Sequence, residues 1–345
     1  MIVPLLFLFL VVVLSAKFFR KSLLQSYNSI PQTQAIKGIF VITIFFSHFC
    51  SYVNLNMWYD TPLQKYCSFL GQLMVAPFLF YSGYGIFESL KQKGLAYIGT
   101  FPQKRILKTL LHFDFAVVLY LILDFAIGKQ LTVSQFMLSL IAWESIGNSN
   151  WFIFAILCAY LFTYLGFICF RGNLKKSLAL ITLMSLIYIV AVWHFKKQGY
   201  WVDTILAFPL GAAFSIYKNR FEALVSRKFI IGGGMLSCAL LLFSKMHFIP
   251  GYFINSQIAL ISFSLLIIFI SLRIQLNSRI LTWFGSQVFG IYILQRLPMN
   301  FFTFLGWNRS NIYLFFVVSF VLTLLLSVLF SKWNSFFDKT FLRVH

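Results

Sequence analysis

Two ionisable side chains interrupt one apolar stretch. Residues 35–53 read AIKGIFVITIFFSHFCSYV and carry Lys37 and His48. Eleven steps of about 100° make roughly three full turns of an α-helix. Both side chains therefore leave one helical face, about 16 Å apart along the axis. That is about half of a bilayer core about 30 Å thick, which puts Lys37 near one membrane surface and His48 near the midplane. A neutral imidazole at that depth accepts a proton from a hydroxyl and later returns it, which is general-base chemistry. A histidine hydrogen-bonded between helices for packing fits the same residues. For Lys37, a snorkelling lysine at the inner interface is the plainer reading.

Further candidates are scattered along the chain. Lys104 and Arg105, in FPQKRILK, suit a phosphate-rich ligand or anionic lipid headgroups on the cytoplasmic side. Ser82 follows Pro77 in PFLFYSGYGIF, where small residues let helices approach closely or a hydroxyl lines a cavity. Asn150 and Trp151 open NWFIFAIL at an outer surface, where Trp151 anchors the interface or stacks on a sugar ring. Asp114 and Asp124 lie where either would orient His48 or balance Lys37. The five cysteines form no CxxC pair and read as small buried hydrophobes, so no metal site is expected. No HExxH, P-loop, GxSxG or dinucleotide fingerprint occurs.

The elements that hold these residues follow from composition. The chain of 345 residues is 60% hydrophobic and only 10% charged, against a charged share of about 25% in soluble domains. It reads as an all-α, polytopic integral membrane protein with little mass outside the bilayer. Eleven spans are expected, at about 2–16, 36–56, 67–90, 109–127, 151–170, 177–195, 201–217, 229–249, 252–272, 281–298 and 311–331. The first lacks a basic residue before its apolar run and reads as a retained helix starting outside.

The net charge of +20 is distributed as topology requires, and it calls for no nucleic-acid partner. With the N-terminus outside, the inner segments hold Lys17, Arg20, Lys21, Lys91, Lys93, Lys104, Arg105, Lys108 and most of the other basic residues. Lys65, Lys129, Lys196, Lys197, Lys245, Arg296 and Arg309 fall outside or near it. The C-terminus, with Arg343, is then cytoplasmic, and the span with His48 runs outward. Two connections are long: a basic inner stretch at 91–108 and an outer segment at 128–149, whose apolar centre fits an interfacial or re-entrant helix.

Taken together, these residues resemble the acyltransferase 3 family of membrane acyltransferases. The likeness rests on a basic residue and a histidine with ten positions between them, here Lys37 and His48. It rests also on FLFYSGYGIF, on the basic FPQKRILK, on NWFIFAIL, and on the late FGSQVFGIYILQRLP, covering roughly residues 30–300. The resemblance implies about ten core helices, so 1–30 would add one helix and a cytoplasmic linker to a membrane acyltransferase domain at 31–345. It implies acetyl-CoA or a similar donor entering from the cytoplasm and an acceptor modified at the outer face. His48 maps to the family's catalytic histidine, Lys37 to its basic partner (more usually arginine), and Lys104 and Arg105 to donor binding. Ser82, Asn150 and Trp151 are assigned to substrate binding, with Trp58 and Tyr59 nearby at the outer face.

Three features depart from the family pattern. No glutamate follows Trp151 closely, Gln295 stands where a late histidine is common, and the proline after the basic stretch is missing. The expected function is O-acetylation of a surface or exported polysaccharide at the plasma membrane, with membrane lipids and a polysaccharide or lipid-linked glycan as partners. A transporter, flippase or polymerase of lipid-linked glycans is the rival reading.

Overall fold

The computed structural model describes residues 1–19, 26–195, 198–246 and 253–342. Arg20, Lys21, Lys196, Lys197 and Arg343, counted above for orientation, lie outside the described residues. In chain order the helices are α1 (Ile2–Ser15), α2 (Ile30–Cys50), α3 (Thr61–Leu70), α4 (Ala76–Lys93), α5 (Leu95–Phe101) and α6 (Lys108–Ala126). There follow α7 (Val133–Leu140), α8 (Trp151–Cys169), α9 (Leu174–His194), α10 (Ala207–Leu224), α11 (Arg227–Met246) and α12 (Phe253–Ser271). The last are α13 (Arg279–Ser286), α14 (Val288–Leu294), α15 (Arg296–Phe304), α16 (Trp307–Ser310) and α17 (Ile312–Phe337). Eight helical stretches among the described residues are long and apolar enough to cross a membrane, and Ile2–Ser15 is a shorter apolar helix.

The bundle is arranged for lipid. Large apolar side chains such as Leu14, Phe125, Val190 and Leu329 face outward, while Thr163, Ser177, Ser185, Ser319 and Thr323 are buried between helices. In hydrocarbon, burying apolar surface gives no advantage, so small side chains that permit close approach decide the packing. Ser177 donates to the carbonyl of Gly166 across the α8–α9 contact at 2.9 Å. Two glycine crossings are tightest. A Cβ on Gly285 would overlap the Gln34 carbonyl, and one on Gly38 the Leu281 carbonyl, so α13 lies directly on α2. Gly83 and Gly211 stand in the same relation to the carbonyls of Phe208 and Phe80, joining α4 to α10. The Ser82–Gly83 step therefore serves close packing through its glycine.

Several expected boundaries move. The helix with Lys37 and His48 runs Ile30–Cys50 rather than 36–56, because Ser29 in an extended conformation and a proline in the first turn start it early. Lys37 thus stands about two turns inside the helix, and His48 lies in its last turn rather than at its middle. The stretch 91–108 is helical, broken only at Gly94, and Leu95–Ala126 forms one continuous rod. Its hinge is a π-helical turn at Pro102–Leu107. The segment 281–298 is three short helices, α13 to α15, instead of one. In the outer segment 128–149, α7 starts at a capping box made by Thr132 and Gln135.

A two-stranded antiparallel ribbon pairs β1 (Ala16–Phe18) with β2 (Ile274–Leu276). Gln32 clamps it, donating to the Ile274 carbonyl and accepting from the Leu276 amide. Of the cysteines, Cys67 is buried, Cys50 and Cys158 are half-buried, and Cys169 and Cys238 are exposed. The cysteines at 169 and 238 depart from the buried placement expected of them, since they lie on outward faces of α8 and α11. No group of three or more potential metal ligands occurs among the described residues.

Candidate functional site

The Lys37 half of the site is built by α2, α4, the π-turn and α8. Lys37 reaches over the Tyr81 ring, its Nζ 5.9 Å from the centroid, and feels the charge of Arg105. Arg105 in turn interacts with the phenol groups of Tyr97 and Tyr160. The Tyr160 hydroxyl lies 3.3 Å from Ser82 Oγ. Neither Lys37 nor Arg105 forms an ion pair with a carboxylate among the described residues. The π-turn turns these neighbours apart: Arg105 is half-buried and inward, while Lys104 is exposed. One extra residue in a helical turn is a feature often found at functional positions.

The His48 half is built by the end of α2, by α14 and α15, and by the loop before α8. His48 Nδ1 is buried without a hydrogen-bond partner. Its ring meets Tyr292 at 6.4 Å between centroids, and Tyr292 meets Phe152 at 5.2 Å. The Tyr292 hydroxyl is also buried and unpartnered. Gln295 is fully buried, donates to the Tyr292 carbonyl at 3.0 Å, and leaves Oε1 without a partner. Buried polar atoms in folded proteins nearly always find partners, and these three lie on facing residues of α2 and of the α14 end.

Asn150 and Trp151 take different places at this end. The Asn150 side chain is buried and donates to the Ala142 carbonyl at 2.9 Å, which folds the preceding loop back on itself. Trp151 packs against Tyr200 at 5.7 Å and reaches the His48 group only through Phe152. Trp58 is exposed and meets Tyr59 edge-on. The two aspartates of α6 do not serve His48 or Lys37. Asp124 pairs with Lys129 at 3.2 Å, and Asp114 Oδ1 has no partner.

A family model described as an acyltransferase domain matches residues 32–332. The chain belongs to the acyltransferase 3 family. Membership gives it the character of a membrane acyltransferase. No curated protein and no solved structure matches it.

In this family member the structure brings Lys37, Arg105 and Ser82 into one cluster and leaves Lys104 outside it. Ser82 thereby separates from Asn150 and Trp151, with which it was grouped. Two groups escaped the sequence reading. Arg296 donates from Nε to the Tyr52 hydroxyl at 3.0 Å and interacts electrostatically with His48. His112 bonds Asp338 at 2.8 Å, and Asp338 also binds Lys108 at 2.6 Å. These three line a cleft of about 390 Å³ together with Gln287, Asn334 and Lys339. A tyrosine four residues beyond His48 and an arginine four residues beyond Tyr292 were a legible signal for the first pair. Nothing local announces the second, because its partners lie 226 residues apart.

Proposed function

We propose that the protein is an integral membrane O-acetyltransferase that moves acetyl from cytoplasmic acetyl-CoA to a hydroxyl of a surface or exported polysaccharide. The observation that carries this reading is the unpartnered, buried His48 nitrogen on the same helix as Lys37, whose ammonium faces Arg105. Two cations without carboxylate partners suit an anionic donor, and an orphaned imidazole suits a neutral acceptor hydroxyl.

In this scheme acetyl-CoA enters from the cytoplasm, with Lys37 and Arg105 holding its charged part and Lys104 drawing it from the surface. His48 takes the proton of the acceptor hydroxyl as its oxygen attacks the thioester carbonyl. The tetrahedral intermediate collapses, the carbon–sulfur bond breaks, and the thiolate of coenzyme A leaves with the proton from His48. Ser82, through Tyr160, orients Arg105. Trp151 and Asn150 shape the acceptor side, one as an aromatic wall and the other by fixing the 142–150 loop. No metal takes part.

The same reading sets the topology. Eleven crossings combine the eight long apolar stretches with α1, with α10, and with the broken α13–α15 unit. The N-terminus is outside, the C-terminus is cytoplasmic, and the membrane is the plasma membrane. Residues 1–30 form an addition to a domain at 31–345, in keeping with a family match that starts at residue 32.

Purified protein given acetyl-CoA labelled in its acetyl group tests the reaction. Label should pass to a polysaccharide extract with wild type and not with His48→Ala of equal abundance. Transfer by the variant at the wild-type rate would remove His48 from the mechanism.

A further inference from the structure

We propose that the outer end of the His48 cleft binds an anionic group, carboxylate or phosphate, carried by the acceptor, with Arg296 as its anchor. The inference rests on His48 marking the acceptor side, as proposed above.

Two successive contacts rise toward the outer face. His48 meets Tyr292, and four residues further along each segment Tyr52 meets Arg296. Four residues correspond to about 6 Å along a helix. Arg296 therefore lies about one turn beyond His48, on the side opposite Lys37 and Arg105.

The guanidinium is fixed in advance. Its Nε donates to the Tyr52 hydroxyl at 3.0 Å, and its carbon lies 5.6 Å from the centre of the same ring. Tyr52 donates onward to Asn300 Oδ1 at 2.5 Å, and Asn300 Nδ2 donates to the Gly147 carbonyl at 3.2 Å. Asn308 Nδ2 holds the Tyr52 carbonyl at 3.0 Å. Four segments thus converge to orient one cation.

What that cation lacks is an anion. Arg296 makes no ion pair among the described residues, and its hydrogen bond there uses Nε alone. The two terminal nitrogens remain, and that edge pairs with carboxylate or phosphate through two parallel bonds. The segments that meet here carry buried polar atoms without partners: His48 Nδ1 on α2, Tyr292 Oη and Gln295 Oε1 just before Arg296, and Asn148 Nδ2 and Ser149 Oγ just after Gly147. A charged sugar would satisfy the cation with its acidic group and the others with its hydroxyls. A transient oxyanion on the donor is the competing occupant, but it forms at the thioester beside His48, about one turn inward of Arg296.

The test uses detergent-solubilised full-length protein and three ligands with one ring: glucose, glucuronate and glucose 1-phosphate, at equal ionic strength. A ligand that binds only the folded state raises the unfolding temperature in proportion to its occupancy. One or both charged sugars should raise it while glucose does not, and Arg296→Gln should abolish the difference. Glucuronate alone would identify a carboxylate, and glucose 1-phosphate alone a phosphate. Arg296→Lys, which keeps the charge, should retain part of the response and guards against a variant that merely folds poorly. His48→Ala should lose acetyl transfer and, even where it weakens binding of every sugar alike, should keep the difference between charged and neutral sugars, which depends on Arg296, so the two proposals fail separately. Equal responses to charged and neutral sugars, or no response to any, would overturn the proposal, as would a charged-sugar response that survives Arg296→Gln.

Discussion

The two ends of α2 solve opposite problems with similar residues. At the Lys37 end, Lys37 and Arg105 are cations lodged among Tyr81, Tyr97 and Tyr160 in place of carboxylates. At the outer end, His48 stands among polar atoms that have no partner at all. The difference separates two kinds of ligand. An unneutralised cation pair selects by charge, whereas orphaned neutral donors and acceptors select by hydrogen-bond pattern. A lone ammonium buried in hydrocarbon is costly, and a phenol can be shed as a partner more readily than a carboxylate when an anionic ligand arrives.

Breaking the outer end should have the largest effect. His48→Ala removes the proton acceptor and should lower acetyl transfer by about 10²–10⁴-fold, read as initial rate at saturating donor, with unchanged membrane abundance. Breaking the inner end should act on affinity instead. Arg105→Ala should raise the apparent donor KM about tenfold or more, because one charge-assisted contact is worth about 1.5–3 kcal/mol. The acceptor KM should stay within about twofold. Lys37→Arg keeps the charge over Tyr81 and should retain most activity, whereas Lys37→Met should behave like the Arg105 variant. A fall in kcat without change in donor KM would merge the two ends into one site.

Support for the inner end comes from α10. Gly211→Ala places a methyl group on the Phe80 carbonyl and should cost about 1–3 kcal/mol of stability, seen as a lower unfolding temperature in detergent. The smallest effect is expected from Ser82→Ala. It removes a single hydroxyl 3.3 Å from Tyr160 and should change the donor KM by no more than about threefold.

The sequence carried the helical class, the placing of Lys37 and His48 on one helix, and the helix-packing role of Gly83. Each depends on local pattern: apolar length, an eleven-residue spacing, a small residue in a bulky span. It did not carry where α2 begins, although Ser29 and Pro31 form a start signal, because the polar residues Gln32, Thr33 and Gln34 separate that signal from the apolar run. The helical nature of 91–108 was hidden by its basic residues, which were assigned to orientation alone. The three-way break at 279–304 is legible only in part: Pro298 has no N–H for the Leu294 carbonyl, where α14 ends, but nothing as plain marks the break at Gln287. The Tyr52–Arg296 contact joins residues 244 apart, and only the parallel docking of α13 on α2 through Gly38 and Gly285 brings them together.

The most direct measurement is nuclear magnetic resonance of cell-surface polysaccharide from cells lacking the gene, complemented with wild type or with His48→Ala at matched abundance. O-acetyl signals should return with wild type and stay absent with the variant. Signals of equal strength in both would contradict a transfer centred on His48.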